Sequence, residues 1–239
     1  MKITALSILL VVAFLLAPRA LQAQSGTGGS SAVPSAVEAA PASTGAETNR
    51  LFARIGVVGA AYHSGATIAT NGQVIPGATA KVSNNVAVTI DVGYDITRSI
   101  SASLMVGVPP KPMITGEGAV GSLGELGRVR YGPAIFTGYY RFRSWRNIRA
   151  YAGAGAAYVI IFKEFDAAVS QLKVHNNWGF VLQAGAEYQL SRKLALFDDF
   201  KEVWVAVDAH GLLAGSVPVK ARVKLNPSIV SAGIKFHFY

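Results

Sequence analysis

Val86-Ala87-Val88-Thr89-Ile90-Asp91-Val92-Gly93-Tyr94-Asp95-Ile96, then Thr97-Arg98, then Ser99-Ile100-Ser101-Ala102-Ser103-Leu104-Met105-Val106-Gly107-Val108 is the stretch that decides the fold. Val86, Val88, Ile90, Val92, Tyr94 and Ile96 share one face of an extended chain, and Ala87, Thr89, Asp91, Gly93 and Asp95 share the other. After the two-residue break, Ile100, Ala102, Leu104, Val106 and Val108 oppose Ser99, Ser101, Ser103, Met105 and Gly107. So short a connection makes the two strands antiparallel neighbours. A third run sets Trp178, Phe180, Leu182, Ala184, Ala186, Tyr188 and Leu190 against Gly179, Val181, Gln183, Gly185, Glu187 and Gln189. Each run has roughly the 9–11 residues that a tilted strand needs to cross a bilayer.

Working outward, further strands are expected at about 51–63, 128–142, 148–162, 194–207 and 223–238, which makes eight. Connections near Thr97, Ser144-Trp145-Arg146-Asn147 and Ser191-Arg192 are short, whereas 64–84, 109–127, 163–177 and 208–222 are long. Short turns belong to the periplasm and long loops to the outside, so both ends of the barrel fall in the periplasm. Lipid offers no hydrogen-bond partner, so strands that meet it must close into a ring. The fold expected is therefore all-β, an eight-stranded antiparallel transmembrane barrel. Its soluble competitor is an exported β-sandwich, whose outer faces would carry Lys, Glu and Thr; here the less apolar faces are Gly, Ser, Ala and a few charges, which suits a crowded lumen.

The N-terminus and composition agree with export. Lys2, the apolar run Ile8–Ala17 and Leu21-Gln22-Ala23 read as a signal peptide over 1–23, since ten apolar residues are too few for a membrane anchor. Residues 24–49 are rich in Ser, Ala, Gly and Pro and read as a disordered periplasmic linker; the barrel is expected over 50–239. With no cysteine, disulfides and thiol catalysis are excluded. Removing Lys2 and Arg19 leaves 20 basic against 13 acidic residues, a net +7. In an exported barrel that excess suits lipid phosphates rather than nucleic acid. Tyr62, Tyr94, Tyr139, Tyr140, Trp145, Tyr158, Trp178 and Tyr188 lie toward strand ends, where an aromatic belt would sit, or serve as core aromatics.

The residues 50–239 resemble the OmpW family of small outer-membrane barrels. The resemblance is carried by Leu51-Phe52-Ala53-Arg54-Ile55-Gly56, Leu104-Met105-Val106-Gly107-Val108-Pro109, Gly132-Pro133, Tyr151-Ala152-Gly153-Ala154-Gly155-Ala156-Ala157-Tyr158, Trp178-Gly179, Leu225-Asn226-Pro227 and Ser231-Ala232-Gly233-Ile234-Lys235-Phe236, in that order. It implies an eight-stranded barrel with a narrow, largely apolar interior that passes small hydrophobic molecules passively across the outer membrane. The aromatic close of the chain looks like the C-terminal signal read by the barrel-assembly machinery. The alternative reading is a non-conducting barrel for envelope integrity or surface contact.

Two sets of site residues follow. Period two aims Asp91, Asp95, Gln183 and Glu187 at the lumen, with Arg54 and Lys201 as cationic candidates; these line a channel or pair and plug it. Met105, Val108, Pro109, Pro110, Met113, Phe136 and Phe162 form the candidate hydrophobic mouth, from which a solute would leave sideways into the bilayer, or are lipid-facing strand ends. Of Asp198 and Asp199, consecutive on one strand, one would point at lipid unless a bulge or a position near the periplasmic headgroups resolves it. His63, His175 and His210, with Ser64, Ser216 and Asp208 nearby, match no catalytic or metal-binding spacing, so neither enzyme activity nor a cofactor is expected. Lipopolysaccharide and other outer-membrane lipids are the expected partners, with small hydrophobic solutes as candidates, and no nucleic acid.

Overall fold

Alternating apolar side chains close the chain into a ring. The structure, a computed structural model, describes residues 50–238; the signal segment and linker expected over 1–49 lie outside the described residues. The barrel wall consists of β1 (Leu51–Tyr62), β5 (Asn85–Asp95), β6 (Ile100–Gly107), β8 (Glu125–Arg141), β9 (Ile148–Asp166), β11 (Asn177–Gln189), β12 (Leu194–Trp204) and β15 (Pro227–His237). Each pairs antiparallel with the next, β15 returns to β1, and the pairing of β8 with β9 completes the circle. Val86, Val88, Ile90, Val92, Tyr94, Ile100, Leu104, Val106, Phe180 and Leu182 are exposed on the outer wall, as their alternation requires of a surface solvated by acyl chains.

The short turns are fixed locally. Thr97 Oγ1 accepts from the N–H of Ser99 (3.1 Å) and Ile100 (2.9 Å), and Ser191 Oγ from Lys193 and Leu194. The long connections depart from the loops expected of them: they are mostly strand. β4 (Ala78–Val82) and β7 (Met113–Gly118) extend the barrel sheet on the upper part of β8. A separate five-stranded sheet joins β10 (Val169–Val174), β13 (Ala206–Leu213), β14 (Val217–Lys224), β2 (Gly65–Thr70) and β3 (Gln73–Val74). β2 and β3 are joined by Asn71-Gly72, both at positive φ (48° and 81°), the geometry of a tight hairpin turn. One apolar cluster runs from the barrel (Val58, Ile135, Val181, Ile229) into this outer tier (Leu172, Val207, Val219).

The aromatic belt is only partly as expected. Tyr94, Tyr140, Trp145, Trp178 and Tyr188 are exposed, and Tyr158 packs on Trp178 with ring centroids 4.5 Å apart. Tyr139 and Tyr62 instead point inward, because their neighbours Tyr140 and Ala61 take the outward positions.

Candidate functional site

The periplasmic half of the lumen is filled by charge. Arg54, on an inward position of β1 and 1% exposed, donates to Glu187 Oε1 (2.6 Å), Tyr139 OH (2.7 Å) and Tyr151 OH (3.5 Å), and lies 3.8 Å from Asp91. Lys235 donates to the same Glu187 oxygen at 2.9 Å. Lys201 pairs with Asp199, whose Oδ1 also accepts from Gln183 (2.6 Å) and Tyr151 (2.8 Å). Nearest the periplasm, Arg141 donates to Asp95 at 2.8 Å, with His237 3.6 Å from the same carboxylate. Four cations (Arg54, Arg141, Lys201, Lys235) thus meet four carboxylates (Asp91, Asp95, Glu187, Asp199), which offsets the desolvation that isolated charges would suffer.

This network fits because the register sets large rings against absent side chains. Phe52 lies opposite Gly93, Tyr139 opposite Gly153, Tyr151 opposite Gly185 and Phe197 opposite Gly233. The same four rings surround the Arg54 guanidinium, with centroids 5.1–5.4 Å from Cζ. A Cβ on Gly185 would come within 2.5 Å of the Tyr151 hydroxyl, so the cage requires the glycine. Cation–π attraction adds to the hydrogen bonds at a desolvated site.

Above the network the lumen is apolar. A cavity of about 650 Å³, counting space open to solvent, is lined by Val58, Met105, Tyr131, Pro133, Ile135 and Ala157 among others, and reaches Val108 and Pro110. Near its upper end the hydroxyls of Tyr62 and Tyr131 hydrogen-bond, and Asn85 donates to Tyr62. A second cavity of about 610 Å³ lies in the outer tier, lined by Ile68, Leu126, Leu172, Val219 and Val223.

Beside the lower cavity the wall loses its hydrogen bonds. β6 pairs with β8 as far as Met105 opposite Ile135, and β7 resumes the pairing at Met113 opposite Arg128. Between these points, residues 106–112 and 129–134 have no ladder partner across the seam, while β8 stays paired to β9 on its other side. Pro109, Pro110, Pro112 and Pro133 flank the opening and carry no N–H, so four donors that lipid could not satisfy are absent from its rims. At the bulge where β9 pairs with β8 past Tyr131, the Phe162 ring lies over Gly132, where a Cβ would approach it to 2.9 Å.

The structure brings Arg54, Asp91, Asp95, Gln183, Glu187 and Lys201 together in the lower lumen. It distributes the mouth residues differently: Met105 lines the cavity, Pro110 and Val108 border it at the opening, and Pro109 lies beside Gly132. Met113 opens β7 beyond the opening. Phe162 stands on the outer wall, and Phe136 faces outward at 56% exposure because its neighbour Ile135, at 1%, takes the inward place. Of the consecutive aspartates, Asp199 points in and Asp198 is the outward one. Sequence reasoning missed Lys235 and Arg141, although each lies between outward apolar residues (Ile234 and Phe236, Tyr140 and Phe142) that would have revealed it. The His175 and His210 rings lie tilted against each other with centroids 5.2 Å apart on the outer tier, away from the lumen network. Among the described residues no three His, Cys, Asp or Glu side chains are grouped to hold a metal ion.

The chain is 33% identical over 195 residues to the dibenzothiophene metabolism operon protein PahQ of Pseudomonas aeruginosa, covering 82% of this chain and 92% of that one. It is 31% identical to outer membrane protein AlkL of Ectopseudomonas oleovorans, over 70% of this chain and 72% of the relative. The solid-state NMR structure of AlkL in lipid bilayers superposes with a TM-score of 0.64 at 26% identity, covering 89% of this chain and 97% of AlkL. The crystal structure of OprG from Pseudomonas aeruginosa shares the fold, with a TM-score of 0.74 at 18% identity over 80% of this chain and 97% of OprG. The outer-membrane family model that matches residues 48–238 takes in every strand of the barrel, and the chain belongs to the OmpW family.

Proposed function

We propose that this outer-membrane barrel admits small apolar molecules from outside into its upper lumen and releases them sideways into the membrane between β6 and β8. The observation that carries the reading is the conjunction at one level of an apolar cavity and an unpaired, proline-rimmed opening, directly above a lumen filled with paired charge. An apolar solute gains nothing by moving down into buried ion pairs, whereas the opening at Val108 and Pro110 leads to acyl chains of its own polarity. Two relatives are named for a dibenzothiophene metabolism operon, and dibenzothiophene, a planar fused-ring compound without charge, belongs to the class that such a path suits. The same network argues against a steady aqueous current along the axis.

The test is uptake by cells lacking the protein and by cells complemented with it. Radiolabelled dibenzothiophene is expected to enter faster when the protein is present, with entry of a hydrophilic monosaccharide unchanged. Equal dibenzothiophene entry in both strains, or a gain confined to the sugar, would remove the reading.

A further inference from the structure

The five-stranded outer sheet turns Val169, Leu172, Val207, Val219 and Val223 toward the apolar cluster, which leaves its opposite face outside the molecule. Lys173, Asp208, His210, Lys220, Arg222 and Lys224 are exposed there, with a single acid among them. Register sharpens the imbalance. Lys220 on β14 stands directly opposite His210 on β13, and His210 directly opposite Lys173 on β10. Lys173 and Lys220 thus flank one histidine in a single cross-strand row that holds no acid, and their like charges oppose each other unless an anion lies between them.

The other wall of the outer tier is built differently. There Arg128 bonds Glu125 at 2.7 Å, Lys81 lies 4.0 Å from Glu117, and Lys111 and Lys163 sit over the Phe165 ring, with only Arg130 lacking such a partner among the described residues. On the five-stranded sheet, Lys173, Lys220, Arg222 and Lys224 make neither an ion pair nor a ring contact among the described residues, even though Asp208 is opposite Arg222.

Position names the missing anion. β13 begins two residues after Trp204, which stacks on Phe180 (5.9 Å) at the outer end of the lipid-facing wall, and β14 ends at Lys224, three residues before β15 enters that wall. From Lys224 to Lys220 the strand climbs roughly 13 Å. The unpaired cations therefore begin at the aromatic belt and span the headgroup layer of the outer leaflet.

We propose that this face binds the phosphates of lipopolysaccharide, with Lys224 and Arg222 at the level of lipid A and the Lys173–His210–Lys220 row at the phosphorylated inner core. This does not depend on what passes through the barrel.

The test uses the purified mature protein in detergent, titrated with bisphosphorylated and monophosphorylated lipid A and followed by native mass spectrometry. Two variants lose equal charge: one carries Lys173→Gln, Lys220→Gln, Arg222→Gln and Lys224→Gln, the other Lys81→Gln, Lys111→Gln, Arg128→Gln and Lys163→Gln. The unaltered protein and the second variant should prefer the bisphosphorylated lipid, and the first should bind it at least ~10-fold more weakly and lose the preference. Equal weakening in both variants, or none in the first, overturns the proposal. So does inorganic phosphate competing as effectively as the lipid. Heat-modifiable gel mobility verifies folding, and the single variants Arg222→Gln and Lys224→Gln replace the first should it not fold.

Discussion

Glu187 holds two cations that would otherwise repel. Its Oε1 accepts from Arg54 and Lys235, and those residues are direct partners in the β1–β15 register. Deleting one member of a buried ion pair costs about 3–5 kcal/mol, because the charge left behind is desolvated and uncompensated. Glu187→Ala is therefore expected to lower barrel stability by about that amount, read as a shift in the urea midpoint of unfolding from lipid vesicles. Glu187→Gln keeps an acceptor and the side-chain volume and should fall in between. An unchanged midpoint for Glu187→Ala would mean that the network does not hold the barrel together. The inward aim of Asp91, Asp95, Gln183 and Glu187 was legible in the sequence from period two, with Arg54 and Lys201 as the cationic candidates beside them. The aromatic cage was not: which ring meets which glycine depends on how neighbouring strands are staggered, and Tyr151 against Gly185 is a relation between β9 and β11 that neither strand states by itself.

At the scale of elements, the opening between β6 and β8 is a consequence of proline. The β6–β8 register, continued past Met105 and Ile135, sets Gly107 opposite Pro133, and Pro109, Pro110 and Pro112 follow on the other rim, so the ladder runs into residues that cannot donate. Changing Pro109, Pro110 and Pro112 to Thr restores three of the four donors and is expected to let the seam zip closed, lowering dibenzothiophene uptake toward that of cells without the protein while heat-modifiable mobility stays normal. Undiminished uptake in a folded triple variant would place the exit elsewhere. The barrel strands were legible because long alternating runs with one uniformly apolar face have a single interpretation beside lipid. The outer strands were not. β2 and β14 pair Thr70 with Val219 across most of the chain, and their short alternating runs look like loop until the partner is known. Asn71-Gly72 was the one local sign of a hairpin in that region.

The whole molecule has two ends of opposite character. Its lower half is closed by paired ions, and its upper half is an apolar column continuing into a two-sheeted tier outside the membrane. The sequence could reveal this division only in part, because the apolar column is assembled from residues such as Val82, Leu126, Leu172 and Val219, spread over connections of little pattern. The most direct test of the account is to map where an apolar solute travels, using a diazirine-bearing three-ring heteroaromatic photolabel on the protein in lipid nanodiscs, with adducts located by mass spectrometry. The expected adducts lie at Met105, Val108, Pro110, Tyr131 and Pro133, with none at Gln183 or Glu187. Adducts extending down the lumen past Glu187, with Val108 and Pro110 untouched, would contradict it.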